Sequence, residues 1–177
     1  MPKAAVLLYE GFEDIEGFAA IDILKRAGID VAVVGVGGNI LKTGQGMKVH
    51  ADNRFVDVNL EKFDALVLPG GPGHENLVRN DSVIRLIQDM NKKGKVIAAI
   101  CAAPKALIKA GVLKDKRATI YPGYEKLLDR PRDNPVVVDG NIITSQGPGT
   151  AIEFGLKIVE VLVGAAKAAE VRKQVVA

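Results

Sequence analysis

The sequence predicts an α/β protein, a doubly wound three-layer α/β/α sandwich around a mainly parallel sheet. Three observations carry that expectation. Short, continuously apolar runs recur along the chain, as strands buried on both faces require. Segments of helical period separate them. Glycine or proline turns end most elements, and right-handed crossovers between parallel strands then lay helices on both faces of one sheet.

Taken in order, Ala4–Leu8 is a short buried strand that runs into Gly11. Asp14–Ala27 is a helix with Ile15, Phe18, Ala19, Ile23 and Leu24 on one face, and Gly28 stops it. Asp30–Val36 is a second apolar strand, ended by Gly37-Gly38, and Ile40–Ala51 is a small excursion with turns at Gly44 and Gly46. Ala65–Leu68 is a third buried strand, closed by Pro69-Gly70-Gly71. Ser82–Lys93 places Val83, Leu86, Ile87 and Met90 on one helical face, with Asp81 or Ser82 as N-cap and Gly94 as the stop. Val96–Ile100 is a fourth strand, and the helix Pro104–Ala110 follows at once. After a turn-rich loop at Pro131–Pro135, Val136–Val138 and Ile142–Ser145 flank Asp139-Gly140, a strong hairpin signal. Gly147-Pro148-Gly149 opens a long helix, Thr150–Val163, and the amphipathic segment Ala165–Val176 closes the chain.

Composition sets the bounds. A chain of 177 residues suits a single domain, 1–177, with a core that needs no staples. The net charge is only +3, with acids and bases interleaved, so no basic stripe points to nucleic acid. Five Phe, three Tyr and no Trp leave few platforms for stacking bases. One cysteine excludes an intrachain disulfide and any multi-cysteine metal site, and it fits a reducing compartment. No apolar run approaches a membrane span, and Ala4–Tyr9 is too short for a signal peptide. The expectation is a cytoplasmic protein with no membrane partner.

In doubly wound sheets, ligands sit beyond the carboxyl ends of the strands. The loops to read are therefore Tyr9–Glu16, Pro69–Glu75, Cys101–Pro104 and Ser145–Thr150. Cys101 ends a buried strand just before a helix, within Ala99-Ile100-Cys101-Ala102-Ala103. Small residues on either side are what a tight strand-to-helix elbow requires of a nucleophile. A helix N-terminus beyond it favours the thiolate and predicts a lowered thiol pKa. A buried structural cysteine suits the same position, so position alone leaves both roles open.

Pro69-Gly70-Gly71-Pro72-Gly73 lets backbone N–H groups point into the crevice and hold an oxyanion, or it is a plain turn. It lacks the spacing of a dinucleotide fingerprint or a Walker loop. Glu10, Glu13, Asp14 and Glu16 crowd the first loop and helical turn, where acids complement the helix dipole. Glu16, flanked by Ile15 and Phe18, is also placed to have its pKa raised by apolar neighbours. His74 follows the glycine turn within reach of the site, and His50 lies in the excursion. Neither belongs to a pair with metal-ligand spacing, so no metal is expected.

Four motifs in order, Gly11–Glu16, Leu68–Gly71, Ala98–Pro104 and Thr144–Thr150, resemble those of the ThiJ/PfpI superfamily, and within it the protein-deglycase branch. The resemblance runs from about Ala4 to Gly164. It implies a flavodoxin-like sandwich and a homodimer. It puts Cys101 at the nucleophile position and Glu16 at that of the acid bonded to it. It makes Gly71 and Ala102 the oxyanion donors, next to Gly70, and has Pro148 line the pocket. One departure stands out: the family often carries a histidine near the cysteine, and here Thr119-Ile120-Tyr121-Pro122 puts Tyr121 in its place. The peptidase branch has a histidine directly after the nucleophile, where this chain has Ala102, and no histidine follows His74.

What the resemblance implies about activity is a glutathione-independent glyoxalase or deglycase acting on a small aldehyde or glycated substrate, with no cofactor. Cys101 attacks the aldehyde and Glu16 moves the proton. The alternative is a redox-sensing chaperone whose cysteine is oxidised to sulfinate. An intracellular cysteine peptidase is a third reading, which Ala102 argues against.

Overall fold

The computed structural model describes residues 1–177. Its elements are β1 (Lys3–Tyr9), α1 (Asp14–Arg26), β2 (Asp30–Val36), β3 (Ile40–Lys42), β4 (Lys48–His50) and β5 (Asn53–Arg54). Then come β6 (Ala65–Leu68), α2 (Glu75–Val78), α3 (Asp81–Lys92), β7 (Val96–Ile100) and α4 (Pro104–Lys109). The chain continues through β8 (Arg117–Ala118), β9 (Arg130–Pro131), β10 (Val136–Asp139), β11 (Ile142–Ser145), α5 (Ala151–Val163) and α6 (Ala165–Val175).

Seven strands form one sheet in the order β10-β11-β7-β6-β1-β2-β5. Every pairing is parallel except the β10–β11 hairpin, whose Gly140 turns at φ 64°. β1, β6 and β7 are wholly apolar inside the sheet, which is why they read as continuous runs rather than alternating ones. α1, α5 and α6 pack together, and α2, α3 and α4 form a second group, giving the three layers. From β1 the chain steps outward to β2 and then returns to β6 on the other side. The crevice beyond Tyr9 and Leu68 is therefore the topological switch point of the sheet.

Several expectations are corrected. The buried face of α1 comprises Asp14, Glu16, Gly17, Ala20, Ile23 and Leu24, while Ile15 and Phe18 are 55% and 38% exposed. Close approach explains the rotation. A Cβ on Gly17 would lie 2.7 Å from the Phe12 ring, and one on Gly155 of α5 would lie 3.1 Å from Ile23. The small residues, not the largest apolar ones, mark the packed side.

Helix α3 starts one residue early because Asn80 is its cap, accepting from the N–H groups of Ser82 and Val83. The excursion resolves into the antiparallel pair β3–β4, in a sheet of its own. β5, β8, β9 and α2 are too short to leave a periodic signal and were not anticipated. No helix is long and apolar enough to cross a membrane.

Candidate active site

The site begins with a strained backbone. Cys101 stands immediately after β7 with φ 64°, a left-handed conformation that costs a non-glycine residue about 1–2 kcal/mol. Its neighbours hold it there. The Cys101 N–H donates to the Ser145 carbonyl at 2.9 Å, and the Cys101 carbonyl accepts from the Tyr121 N–H at 2.9 Å. A Cβ at position 70 would come within 2.7 Å of Cys101 Cβ, so only glycine fits beside the elbow.

Glu16 reaches the sulfur from the first turn of α1. Glu13 caps that helix by accepting the Glu16 N–H at 2.8 Å, and the Glu16 side chain reaches the Gly70 N–H just beyond β6. The residue is fully buried. Its Oε2 accepts the Gly70 N–H at 2.7 Å; its Oε1 has no hydrogen-bond partner, and the Cys101 thiol donates to the carboxylate. Burial pushes this carboxyl up to about 7; the Gly70 N–H and the Cys101 bond oppose the rise, and the Glu13 charge adds to it. Burial was expected against Ile15 and Phe18. It comes instead from Gly70 and the sheet.

The thiol does not follow the helix-dipole expectation. It is 8% exposed, and burial first, then the Glu16 charge and hydrogen bond, push it up to about 12. The N–H groups of Ala102 and Gly71 donate to the sulfur and pull the other way. Helix α4 has only six residues, too few for a strong dipole at a residue outside it. Carboxyl and thiol therefore titrate as a pair. The first proton leaves near 7, and the second is retained to about 12, so across that range the two share one negative charge.

Gly71 takes φ 118°, and a Cβ there would meet the Glu13 nitrogen at 2.3 Å. Only glycine fits there, and its N–H faces the sulfur. Behind it, His74 approaches the Gly71 carbonyl through Nδ1 at 3.1 Å, while its Nε2 faces Lys105 Nζ at 3.2 Å and Glu75 Oε1 at 3.3 Å. With both ring nitrogens engaged, His74 braces the glycine turn. The Tyr121 ring is exposed and lies against Gly147 and Tyr124. Pro148 opens the short turn Pro148–Thr150 in the loop that follows Ser145. All the elements singled out in the sequence thus converge on the carboxyl ends of β1, β6, β7 and β11. No group of three or more His, Cys, Asp and Glu side chains is close enough to hold a metal ion.

Sequence reasoning passed over Tyr9. It ends β1, is fully buried, and places its hydroxyl 2.7 Å from both the Pro69 and Gly70 carbonyls. The signal available was a polar aromatic at the end of an otherwise aliphatic strand. Lys105, whose Nζ also lies 3.7 Å over the Tyr124 ring, was missed as well.

Residues 2–161 match the profile of the DJ-1/PfpI family. Among curated relatives, Protein dj-1beta of Drosophila melanogaster is 44% identical, over 97% of this chain and 95% of its own length. The glutathione-independent glyoxalase DJR-1.2 of Caenorhabditis elegans is 35% identical over 93% and 91%. A Pyrococcus abyssi deglycase is 35% identical over 90% and 99%. Among solved structures, oxidized Toxoplasma gondii DJ-1 superposes with a TM-score of 0.96 at 32% identity, covering 99% of this chain and 98% of that one.

Proposed function

The chain belongs to the DJ-1/PfpI family, and on that premise we propose that it is a cysteine-dependent enzyme of small reactive carbonyls, such as methylglyoxal or glyoxal. One observation supports this above the others: a buried carboxyl and the only thiol share a hydrogen bond and one negative charge, with two backbone N–H groups aimed at the sulfur. Relatives named glyoxalase and deglycase point the same way.

Moving the pair's proton onto Glu16 leaves Cys101 as thiolate. The thiolate adds to the aldehyde carbon of methylglyoxal, and the oxyanion that forms is met by the Gly71 and Ala102 N–H groups. Protonation gives a hemithioacetal. Glu16 removes the hydrogen on that carbon and delivers it to the adjacent carbonyl carbon through an enediol, so one carbon is oxidised and its neighbour reduced. The product is a thioester of lactate with Cys101. Water cleaves it, releasing lactate and the thiol. No external oxidant or reductant is consumed, and no cofactor is required. A cysteine residue only 8% exposed suits a small aldehyde better than a bulky glycated side chain. Following lactate production from methylglyoxal, by wild type beside Cys101→Ala, tests the reading; retained activity in the variant ends it.

A second reading is favoured by the oxidized state of the Toxoplasma relative. Peroxide takes the Cys101 thiolate to sulfenate and then sulfinate, held by the same N–H groups, and the protein reports oxidation. A mass gain of two oxygens on Cys101 at low peroxide, with no carbonyl turnover, would favour it.

Exposed Ile15 and Phe18 on α1 support a second copy of the chain as partner. Sedimentation velocity on wild type and Phe18→Lys tests that homodimer. For the carbonyl chemistry, a lone thiol that works in its reduced form supports a cytoplasmic location, which fractionation checks.

A further inference from the structure

Tyr9 occupies a position that no sequence motif explains. Its hydroxyl carries one proton, yet it lies 2.7 Å from two consecutive carbonyl oxygens, those of Pro69 and Gly70. Each carbonyl belongs to a peptide unit whose N–H points the opposite way, since every peptide bond here is trans. The Pro69–Gly70 unit ends in the Gly70 N–H, which donates to Glu16 Oε2 at 2.7 Å. The Gly70–Gly71 unit ends in the Gly71 N–H, which donates to the Cys101 sulfur. One phenol therefore stands behind both amides that hold the two halves of the acid–thiol pair.

We propose that Tyr9 is a positioning residue of the reaction: its hydroxyl polarises these two peptide units from their carbonyl ends and strengthens whichever N–H faces the negative charge. When the charge sits on Glu16, the O–H turns to the Pro69 carbonyl. When it moves to the sulfur or to a substrate oxyanion, the O–H turns to the Gly70 carbonyl. The swing needs only rotation about the C–O bond, so it follows proton transfer without moving the backbone. Chained hydrogen bonds of this kind strengthen one another in a low-dielectric interior.

The surroundings fit the role. Tyr9 is fully buried and packs edge-on against Phe12, so its ring cannot leave. Burial, with Glu16 and Cys101 nearby, holds its phenol well above the ordinary tyrosine range, so it remains a donor at every working pH. The Gly70 carbonyl takes a second donor, the Glu13 N–H at 2.8 Å, which fixes the unit in place. The other titratable groups around the pair are Glu13, at the head of α1, and His74, behind Gly71.

The inference deepens the proposed carbonyl chemistry and rests on it for its catalytic part. Its first test uses no substrate. The pH dependence of iodoacetamide alkylation at Cys101, the only thiol, reports the first ionisation of the pair. Tyr9→Phe should raise that midpoint by two- to tenfold in proton affinity, since both charge-facing N–H groups weaken. Methylglyoxal kcat should fall by about the same factor with KM little changed. Site-specific 3-fluorotyrosine at position 9, a stronger donor of nearly equal size, should lower the midpoint.

A midpoint equal to wild type in Tyr9→Phe, or lowered by it, overturns the proposal. If Tyr9→Phe does not fold, the fluorotyrosine protein decides alone, and no downward movement overturns it. The two readings separate cleanly. Wild type without carbonyl turnover but with a moving midpoint removes the enzyme reading and keeps the polarising role of Tyr9. Turnover that depends on Cys101 with an immobile midpoint does the reverse.

Discussion

The Gly70 N–H donates to Glu16 Oε2 at 2.7 Å, joining residues 54 positions apart in a fully buried bond. Since that amide occupies one carboxyl oxygen, the proton Glu16 carries when neutral belongs on Oε1, which has no hydrogen-bond partner. The carboxylate thus accepts from the Gly70 N–H on one side and keeps Oε1 as the oxygen that can take up a proton on the other.

Glu16→Gln preserves the acceptor for Gly70 and removes the proton carrier. Carbonyl turnover should fall by about 10²–10⁴-fold, the usual worth of general acid–base catalysis. The alkylation profile of Cys101 should collapse from two steps, near 7 and near 12, to one, since a single titratable group is left. Circular dichroism should be unchanged. Two steps persisting in the variant would assign the lower one to another group, with His74 the first to examine.

Stability should depend on pH in a defined direction. The folded carboxyl of Glu16 titrates at about 7 against an ordinary value of 4.5, so between these values the native state binds more protons than the unfolded one. Stability is then fully present below 4.5 and declines as pH rises through 7, by on the order of 3 kcal/mol. Cys101 adds a second decline between 9.0 and about 12. Urea melts from pH 4 to 8 should show the first slope in wild type and a flatter one in Glu16→Gln.

Gly70→Ala should damage both fold and site. Its Cβ would sit 2.7 Å from Cys101 Cβ, 2.8 Å from the Ile100 carbonyl and 2.9 Å from Glu16 Oε2. Overpacking of this kind costs about 1–3 kcal/mol, roughly 2–4 °C of Tm for each kcal/mol at this chain length. Gly38→Ala, whose Cβ meets nothing nearer than 3.9 Å, should leave Tm and turnover near wild type. Thermal melts of the two variants side by side check the contrast.

Tyr121→Phe removes only an exposed hydroxyl, and carbonyl turnover should change less than twofold, well under the tenfold step of about 1.4 kcal/mol. Tyr121→His introduces a group that titrates near neutrality beside the elbow. It should raise kcat about tenfold, with a new limb in the pH profile near the imidazole pKa of about 6.5. A flat response would show that the ring at this position does not reach the reacting carbons.

The sequence alone determined the sandwich and the loops that matter. Continuous apolar runs such as Val96–Ile100 read as strands covered on both faces, and the small residues around Cys101 leave room for an elbow. Those signals are local, and local sterics carry them. The side that α1 buries was misread, because Gly17 and Gly155 let the helices approach, a property of the pair and not of either helix. The protonation of Glu16 and Cys101 was also beyond local reading. A strand-end thiol before a helix suggested a lowered pKa, but burial and a carboxyl brought in from a distant segment outweigh a six-residue helix. Tyr9 was invisible for the same reason: its meaning lies in which peptide carbonyls it faces across the sheet. Residue types and spacing specify secondary structure and the candidate nucleophile, whereas desolvation and opposed hydrogen bonds exist only once the chain is folded, and they decide which group holds the charge.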